Sequence, residues 1–579
     1  MLSFHLMWPQ TYSPVANSLA ASAVVAALPV FVLLYLLGVR RTPAWIASLA
    51  GLGSAALVAL FVYRMPAGTL VSAIAFGAAF GIFPIGWIVF TAILLYDVTV
   101  ETGRFEVLKD SIGSLTTDRR LQALLIAFAF GAFLEGAAGF GSPVAVAAAM
   151  LAGLGFSPYY AAAICLLANT APVAFGSIGI PVITLAGVTG LPLDKISAGV
   201  GRICAPVSLF IPAYLVAVMG GWKALRGVLA AVAVCGVSFA GVQFLVSNYV
   251  GPQLTDILSS LAAIGSLIGL FLVWRPKDSA EFQGNGNAAT NVRSWPAWEI
   301  ARAWTPYGLL VVLVLLWGWQ RSALDKMNLM FAWPGLHNAV LRIAPVVRTP
   351  APYPAQYVFN WLSASGTACL VAVLLSALVL RLPPRKFVSV AARTTKKLTF
   401  SMVTIAAVLA LAFLMNYSGA TATLGLGLAA TGRLFPFFSA ILGWIGVFLT
   451  GSDTSANALF GNLQVITANH LGLDPILMVS ANSAGGVMGK MISLQSIAVA
   501  CAAAGMARSE ESRLFRFTLR HSVILATGPG TSAAVFGSGN CCACVVVIVT
   551  APMSAAASII FIFTRGSFKT PYCWGLFLV

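Results

Sequence analysis

Two passages decide how this chain folds: "GAFLEGAAGFGSPVAVAAAM" (Gly131–Met150) and "GVFLTGSDTSANALFGNL" (Gly446–Leu463). Each sets one acid, Glu135 or Asp453, among glycines and other small residues in an otherwise apolar stretch. An ionised acid at the centre of a membrane helix costs about 2.5–3.5 kcal/mol on insertion scales, so such residues mark a pathway, an ion pair or a proton relay.

The surroundings are those of a membrane chain. Of 579 residues, 59% are hydrophobic and only 8% charged, which excludes a soluble globular protein. Runs of about 20 apolar residues recur. They predict an all-α, polytopic membrane protein with about 12–14 transmembrane helices, two or three of them re-entrant or half-length, the last running from Cys541 to Phe563. The net charge of +17 sits in short loops between apolar runs, which fits positive-inside orientation and not nucleic-acid binding. Loops Arg381–Lys397 and Ala507–Arg520 are therefore expected in the cytoplasm. The N-terminus lacks a basic n-region and a small-residue cleavage site, so the first apolar run is expected to remain as a helix. The cysteines lack zinc spacing and the four histidines, His5, His337, His470 and His521, form no helical pair, so neither metal nor cofactor is expected.

The two opening passages belong to a longer repeat. "GAFLEG" matches "GVFLTG"; "GFSP" (ending at Pro158) matches "GLDP" (ending at Pro475); "ANTAPVAFG" (Ala168–Gly176) matches "ANSAGGVMG" (Ala481–Gly489), in the same order and about 315 residues apart each time. Basic flanks differ in a telling way. Arg104, Lys109, Arg119 and Arg120 precede the first copy and only Lys195 follows it, whereas only Arg433 precedes the second and Arg508, Arg513, Arg516 and Arg520 follow. Reversed flanks are the signature of inverted-topology repeats. In such folds broken helices meet near the bilayer midplane, where their free N–H ends suit a small anion. Asn169-Thr170 and Asn482-Ser483 are expected at those breaks.

Four buried charges are candidates for chemistry. Lys490 or Arg202 could pair with a substrate anion, while Glu135 or Asp453 could carry a proton, and together that is proton-coupled anion uptake. The alternative is two permanent ion pairs, Glu135 with Arg202 and Asp453 with Lys490, that lock helices together. Arg302 and Asp256 are expected at the membrane surface.

The passages "FGAFLEGAAGFGSPVA", "LANTAPVAFGSIGIPV", "NYSGATATL", "GWIGVFLTGSDTSANALF" and "GKMISLQSIAVACAA" resemble the motifs of bacterial L-lactate permeases, from "QTYSPVANS" to about "RFTLRHS". The resemblance implies a proton symporter of the cytoplasmic (inner) membrane that imports lactate and often glycolate. The Asn-Thr and Asn-Ser tips are more remotely similar to those of anion transporters that work by an elevator motion. Leu494 stands where the family usually has Pro, which predicts a softened helix break, and the sequence beyond His521 departs from the family's last helix.

The expected site places lactate's carboxylate between the two helix tips, with donors from Asn169, Thr170, Asn482 and Ser483 and charge from Lys490 or Arg202. Ser452, Thr454 or Ser455 would read its hydroxyl, and Glu135 or Asp453 would carry the proton. Residues 1–274 form an N-terminal membrane half (repeat core 121–186), 275–358 two polar loops around one transmembrane helix, 359–520 a C-terminal half (core 437–503) and 521–579 a divergent tail. The partners expected are lactate or glycolate, protons and the lipid bilayer. The sequence leaves open the preference among L-lactate, D-lactate and glycolate, sodium coupling to another small carboxylate, oligomeric state, and, from another class, a subunit of a membrane redox complex.

Overall fold

The computed structural model describes residues 7–139, 141–282, 295–507 and 510–537. The apolar run from Cys541 to Phe563, His5 and Arg508 lie outside them. Among the described residues, nine helices are long and apolar enough to cross a membrane, or up to eleven if each of two bent pairs is one span. Ser142–Gly153, Ser365–Val379 and Phe435–Thr450 are shorter apolar helices of 12, 15 and 16 residues. Leu19–Gly38 is buried over only 22% of its apolar window and Arg119–Ala137 over 100%. The helix that carries Glu135 is therefore central to the molecule, with no face left for lipid.

Each repeat is a hairpin followed by a broken helix. In the first, Arg119–Ala137 turns near Gly139 and Gly141 into Ser142–Gly153, and Pro158–Ala168 then breaks before Gly176–Thr189, a bend of 65°. In the second, Phe435–Thr450 turns at Gly451 into Asp453–Leu471, and Pro475–Gly489 with its 3-10 extension bends by 42° into Leu494–Ala504. The matched "GFSP" and "GLDP" have a local cause: Ser157 and Asp474 are N-caps whose side chains accept from the backbone N–H of Tyr160 and Ile476, and Pro158 and Pro475 take the first helical position. Gly141 (φ +84°) and Gly451 (φ +72°) occupy left-handed conformations at the hairpin tips, which a residue with a Cβ adopts only at a cost.

Opposite orientation of the copies follows from what their ends touch. Arg119 donates to the Gly155 carbonyl at 3.0 Å, so the first hairpin starts and ends at one face. That face gathers the basic segments: Arg104 pairs with Glu299, Arg393 with Glu101, Lys223 with Glu281, and Arg513 lies over Tyr159. The second hairpin starts and ends elsewhere, with Phe435, Ala468 and Met478 packed together. Beside them Thr467 donates to the Gly425 carbonyl and Thr423 to that of Tyr12. The copies also pack crosswise, Leu494–Ala504 on the first hairpin and Gly176–Thr189 on the second.

Residues 320–358 are not the plain loop that the sequence predicts. Leu329–Ala332 pairs antiparallel with Gln356–Phe359, and Val340–Arg342 joins Ala351–Pro352 and, in parallel, Trp8–Pro9. Short strands between prolines are hidden from a hydropathy reading because they satisfy backbone groups across long sequence distances.

Candidate functional site

Close backbone approach sets the site. A Cβ on Gly443 would lie 1.8 Å from the Asn482 carbonyl oxygen, and one on Gly485 2.1 Å from that of Ala440, so Phe435–Thr450 and Pro475–Gly489 touch backbone to backbone. Both repeat acids sit against a glycine of the broken helix in their own copy. A Cβ on Gly176 would be 2.8 Å from Glu135 Oε1, and one on Gly486 2.4 Å from Asp453 Oδ1.

Around Asp453 the polar groups bond to one another, although Asp453 Oδ1 and Gln464 Oε1 have no partner. Its Oδ2 accepts from Ser483 Oγ at 2.8 Å and from Asn457 Nδ2 at 3.0 Å. Asn482 Nδ2 donates to Asn457 Oδ1 at 3.0 Å, and Gln464 Nε2 donates to Asn482 Oδ1 at 3.1 Å. Asn457 also reaches the Pro181 carbonyl at 3.3 Å, which ties this network to the first copy's broken helix. Asn482 and Ser483 lie within the continuous helix Pro475–Gly489, not at a break. The break comes later, at Lys490–Ser493, because "GGVMG" packs its glycines against the neighbouring helix and keeps the backbone helical through them. Ser493 caps the next helix, ahead of Leu494, by accepting from the Ser496 N–H, and the bend there, 42°, is smaller than the 65° of the first copy.

Around Glu135 such bonds are fewer. Asn169, at the end of Pro158–Ala168, faces the Glu135 carboxyl, yet neither its Nδ2 nor its Oδ1 makes a hydrogen bond, nor do Thr170 Oγ1 and Glu135 Oε2. All three residues are buried. Buried polar atoms without partners call for an explanation. Lys490 lies within electrostatic reach of both Glu135 and Asp453 and donates to the Gly451 carbonyl at 2.7 Å. In the first copy Ser177 donates to the Ala138 carbonyl at 2.9 Å, so each broken helix is bonded to the tip of its own hairpin.

Three expectations need correction. Arg202 is exposed and donates to Asn248 Oδ1 at 2.8 Å. The permanent pairs of Glu135 with Arg202 and Asp453 with Lys490 are accordingly not among the ion pairs of the described residues. Asp256 is not at the surface: it is 1% exposed, with neither oxygen partnered. Ser452, Thr454 and Ser455 line a crevice of about 20 Å³ with Ile180, Ile405, Val408, Leu409 and Ala458. A larger cleft of about 460 Å³ opens at the basic face beside Arg119, Phe156 and Phe282, away from the tips. Asn457 and Gln464 are the residues that sequence reasoning missed, although their spacing from Asp453 puts all three on one helical face.

Apolar crossing helices, two of them broken around a buried polar cluster, define a multi-pass membrane transporter. Residues 22–536 match the family described as L-lactate permease, and the chain belongs to that family. It is 45% identical to the L-lactate permease of Bacillus subtilis (strain 168) over 549 residues, which is 90% of this chain and 96% of the relative. It is 45% identical over 540 residues to the glycolate permease GlcA of Escherichia coli (strain K12), and 42% identical over 530 residues to that organism's L-lactate permease, with the same coverage in each case. Among solved structures, the YdaH transporter of Alcanivorax borkumensis is similar at a TM-score of 0.43 and 14% identity, over 82% of this chain and 88% of that one. The chain is a transporter and not an enzyme, and a multi-pass protein of the bacterial inner membrane.

Proposed function

We propose that this chain imports L-lactate and the smaller glycolate by proton symport. The substrate carboxylate docks at the first copy's break, on the Asn169 amide and the Thr170 hydroxyl, and takes its counter-charge from Lys490. Asn482 and Ser483, engaged in the Asp453 network, shape the wall behind it, and Ser452, Thr454 and Ser455 stand where the crevice meets the Pro384–Ser418 helix. Glu135 and Asp453 exchange the proton. The carrying observation is the set of buried, unpartnered atoms on Asn169, Thr170 and Glu135 in a chain whose relatives are lactate and glycolate permeases.

The test is uptake of labelled L-lactate into membrane vesicles under an imposed proton gradient and, separately, a sodium gradient. Proton-driven accumulation that is lost in both Glu135→Gln and Asp453→Asn is the expected result. Accumulation driven by sodium alone, or undiminished in both variants, overturns the reading. Competition by D-lactate and glycolate ranks the substrates.

A further inference from the structure

The acid that the sequence places at the membrane surface has no explanation in the fold. Asp256 is the second residue of Thr255–Val273, is 1% exposed, and both of its carboxyl oxygens lack a hydrogen-bond partner. Its helix begins against Glu135's. A Cβ on Gly136 would lie 2.8 Å from Asp256 Cβ and 3.1 Å from the Ile257 nitrogen, and the two carboxyls interact electrostatically.

The charges that face these two groups are few. Glu135 is faced by Lys490, Asp256 and the neutral Asn169. Asp256 is faced by Glu135 and by Cys204 of the Leu193–Gly227 helix, which lies within electrostatic reach of Asp453 as well. Helices Leu229–Tyr249 and Gly176–Thr189, also packed against Thr255–Val273, bring no charged residue. Among the described residues no cation faces Asp256, and Lys490 already answers to two acids. Two adjacent buried carboxylates with no more than a shared ammonium between them are costly, whereas a carboxylic acid bonded to a carboxylate satisfies both groups with one proton.

We propose that Glu135 and Asp256 form a single proton-binding unit, an acid–carboxylate pair that takes up the coupling proton when lactate binds. The proposal rests on the lactate–proton reading above and names the partner with which Glu135 holds the proton that it exchanges with Asp453. When the substrate carboxylate engages Lys490, Glu135 loses its counter-charge, and a proton from solution enters between the Glu135 and Asp256 oxygens. Lactate affinity and proton affinity are then linked reciprocally. Asp256 touches no substrate in this scheme and acts through Glu135.

The experiment measures lactate Kd for the purified full-length protein in lipid nanodiscs from about pH 5.5 to about pH 8.5, with proton uptake on binding followed in weak buffer. In the wild type, Kd should rise by about tenfold per pH unit once the unit is deprotonated, with about one proton taken up per lactate. Asp256→Asn, Glu135→Gln and the double variant should all lose that slope to the same extent, because removing either half of one unit removes the whole. If Asp256→Asn keeps the wild-type slope, or if each single change removes part of it and only the double removes all, the shared unit is wrong while proton coupling stands. A wild type whose Kd is indifferent to pH and responds to sodium overturns the proton reading and the pair with it. Should Asp256→Asn fail to fold, Asp256→Glu is used in infrared difference spectra of lactate binding. The protonated-carboxyl band shifts if residue 256 shares the proton, and an unmoved band overturns the proposal.

Discussion

Lys490, at the break of the second repeat, donates its ammonium proton to the backbone carbonyl of Gly451, the tip of the same repeat's hairpin, at 2.7 Å. One of its three donors is thereby committed to holding the tip, and the ammonium stays between Glu135 and Asp453. Lys490→Met should raise the lactate KM by about tenfold or more, the equivalent of one charged hydrogen bond. Lys490→Arg should not restore it, since a planar fork does not fit where a compact ammonium does. Initial uptake rates against lactate concentration check both.

Asn457 is the node of the polar network, bonded to Asp453, Ser483, Asn482 and the Pro181 carbonyl. Asn457→Leu keeps much of the volume and removes every one of these bonds, leaving buried groups unpaired. A loss of about 1–3 kcal/mol in stability is expected, seen as a lower melting temperature of the purified protein, together with slower uptake. An unchanged melting temperature would show that the network is not structural.

Glycine substitutions should differ in sign with position. At Gly443 an added Cβ meets the Asn482 carbonyl oxygen at 1.8 Å, and at Gly53 it meets nothing within 4 Å. Gly443→Ala should destabilise by about 1–3 kcal/mol through overpacking and displace Asn482. Gly53→Ala, in an open helical position, should be neutral or stabilising by about 0.5–1 kcal/mol. Thermal melts of the two variants side by side decide the matter.

At the basic face Arg120 is 1% exposed and is held by Asp118 Oδ2 at 2.7 Å and by both oxygens of Asp278 at 2.9 Å, with its guanidinium 3.8 Å from the Phe282 ring centre. The hydrogen bonds from Arg120 hold the Asp278 carboxyl below its ordinary titration range. A depressed carboxyl contributes stability that is complete above its unfolded value, about pH 4, and that disappears as pH falls through the lower, folded value. Asp278→Asn should therefore cost about 1–3 kcal/mol at neutral pH, and the gap to wild type should close on acidification below about pH 4. A gap independent of pH would mean that the carboxylate's charge plays no part.

Glu135 and Asp453 were legible because a charge in an apolar run stands out at single-residue level. The two broken helices were legible as a motif repeated in order. Asn482 was placed at a break because "ANS" aligns with "ANT", but the glycines after it close-pack and keep the helix continuous, and the bend moves to Lys490–Ser493. Arg202 and Asp256 were exchanged, one expected inside and found outside, the other the reverse. For each, the deciding factor is the rotation of its helix against a neighbour more than 40 residues away in sequence: Asn248 for Arg202, Gly136 for Asp256.

Composition, the spacing of apolar runs and the lysine and arginine flanks were sufficient by themselves to determine a multi-pass helical chain with two opposed repeats, because partition into lipid is a sum over local segments. The polar groups that meet at the centre were decided only by tertiary structure. Contacts such as Gly443 with Asn482 and Gly136 with Asp256 depend on helix rotation and backbone approach, which packing fixes between segments far apart in the chain.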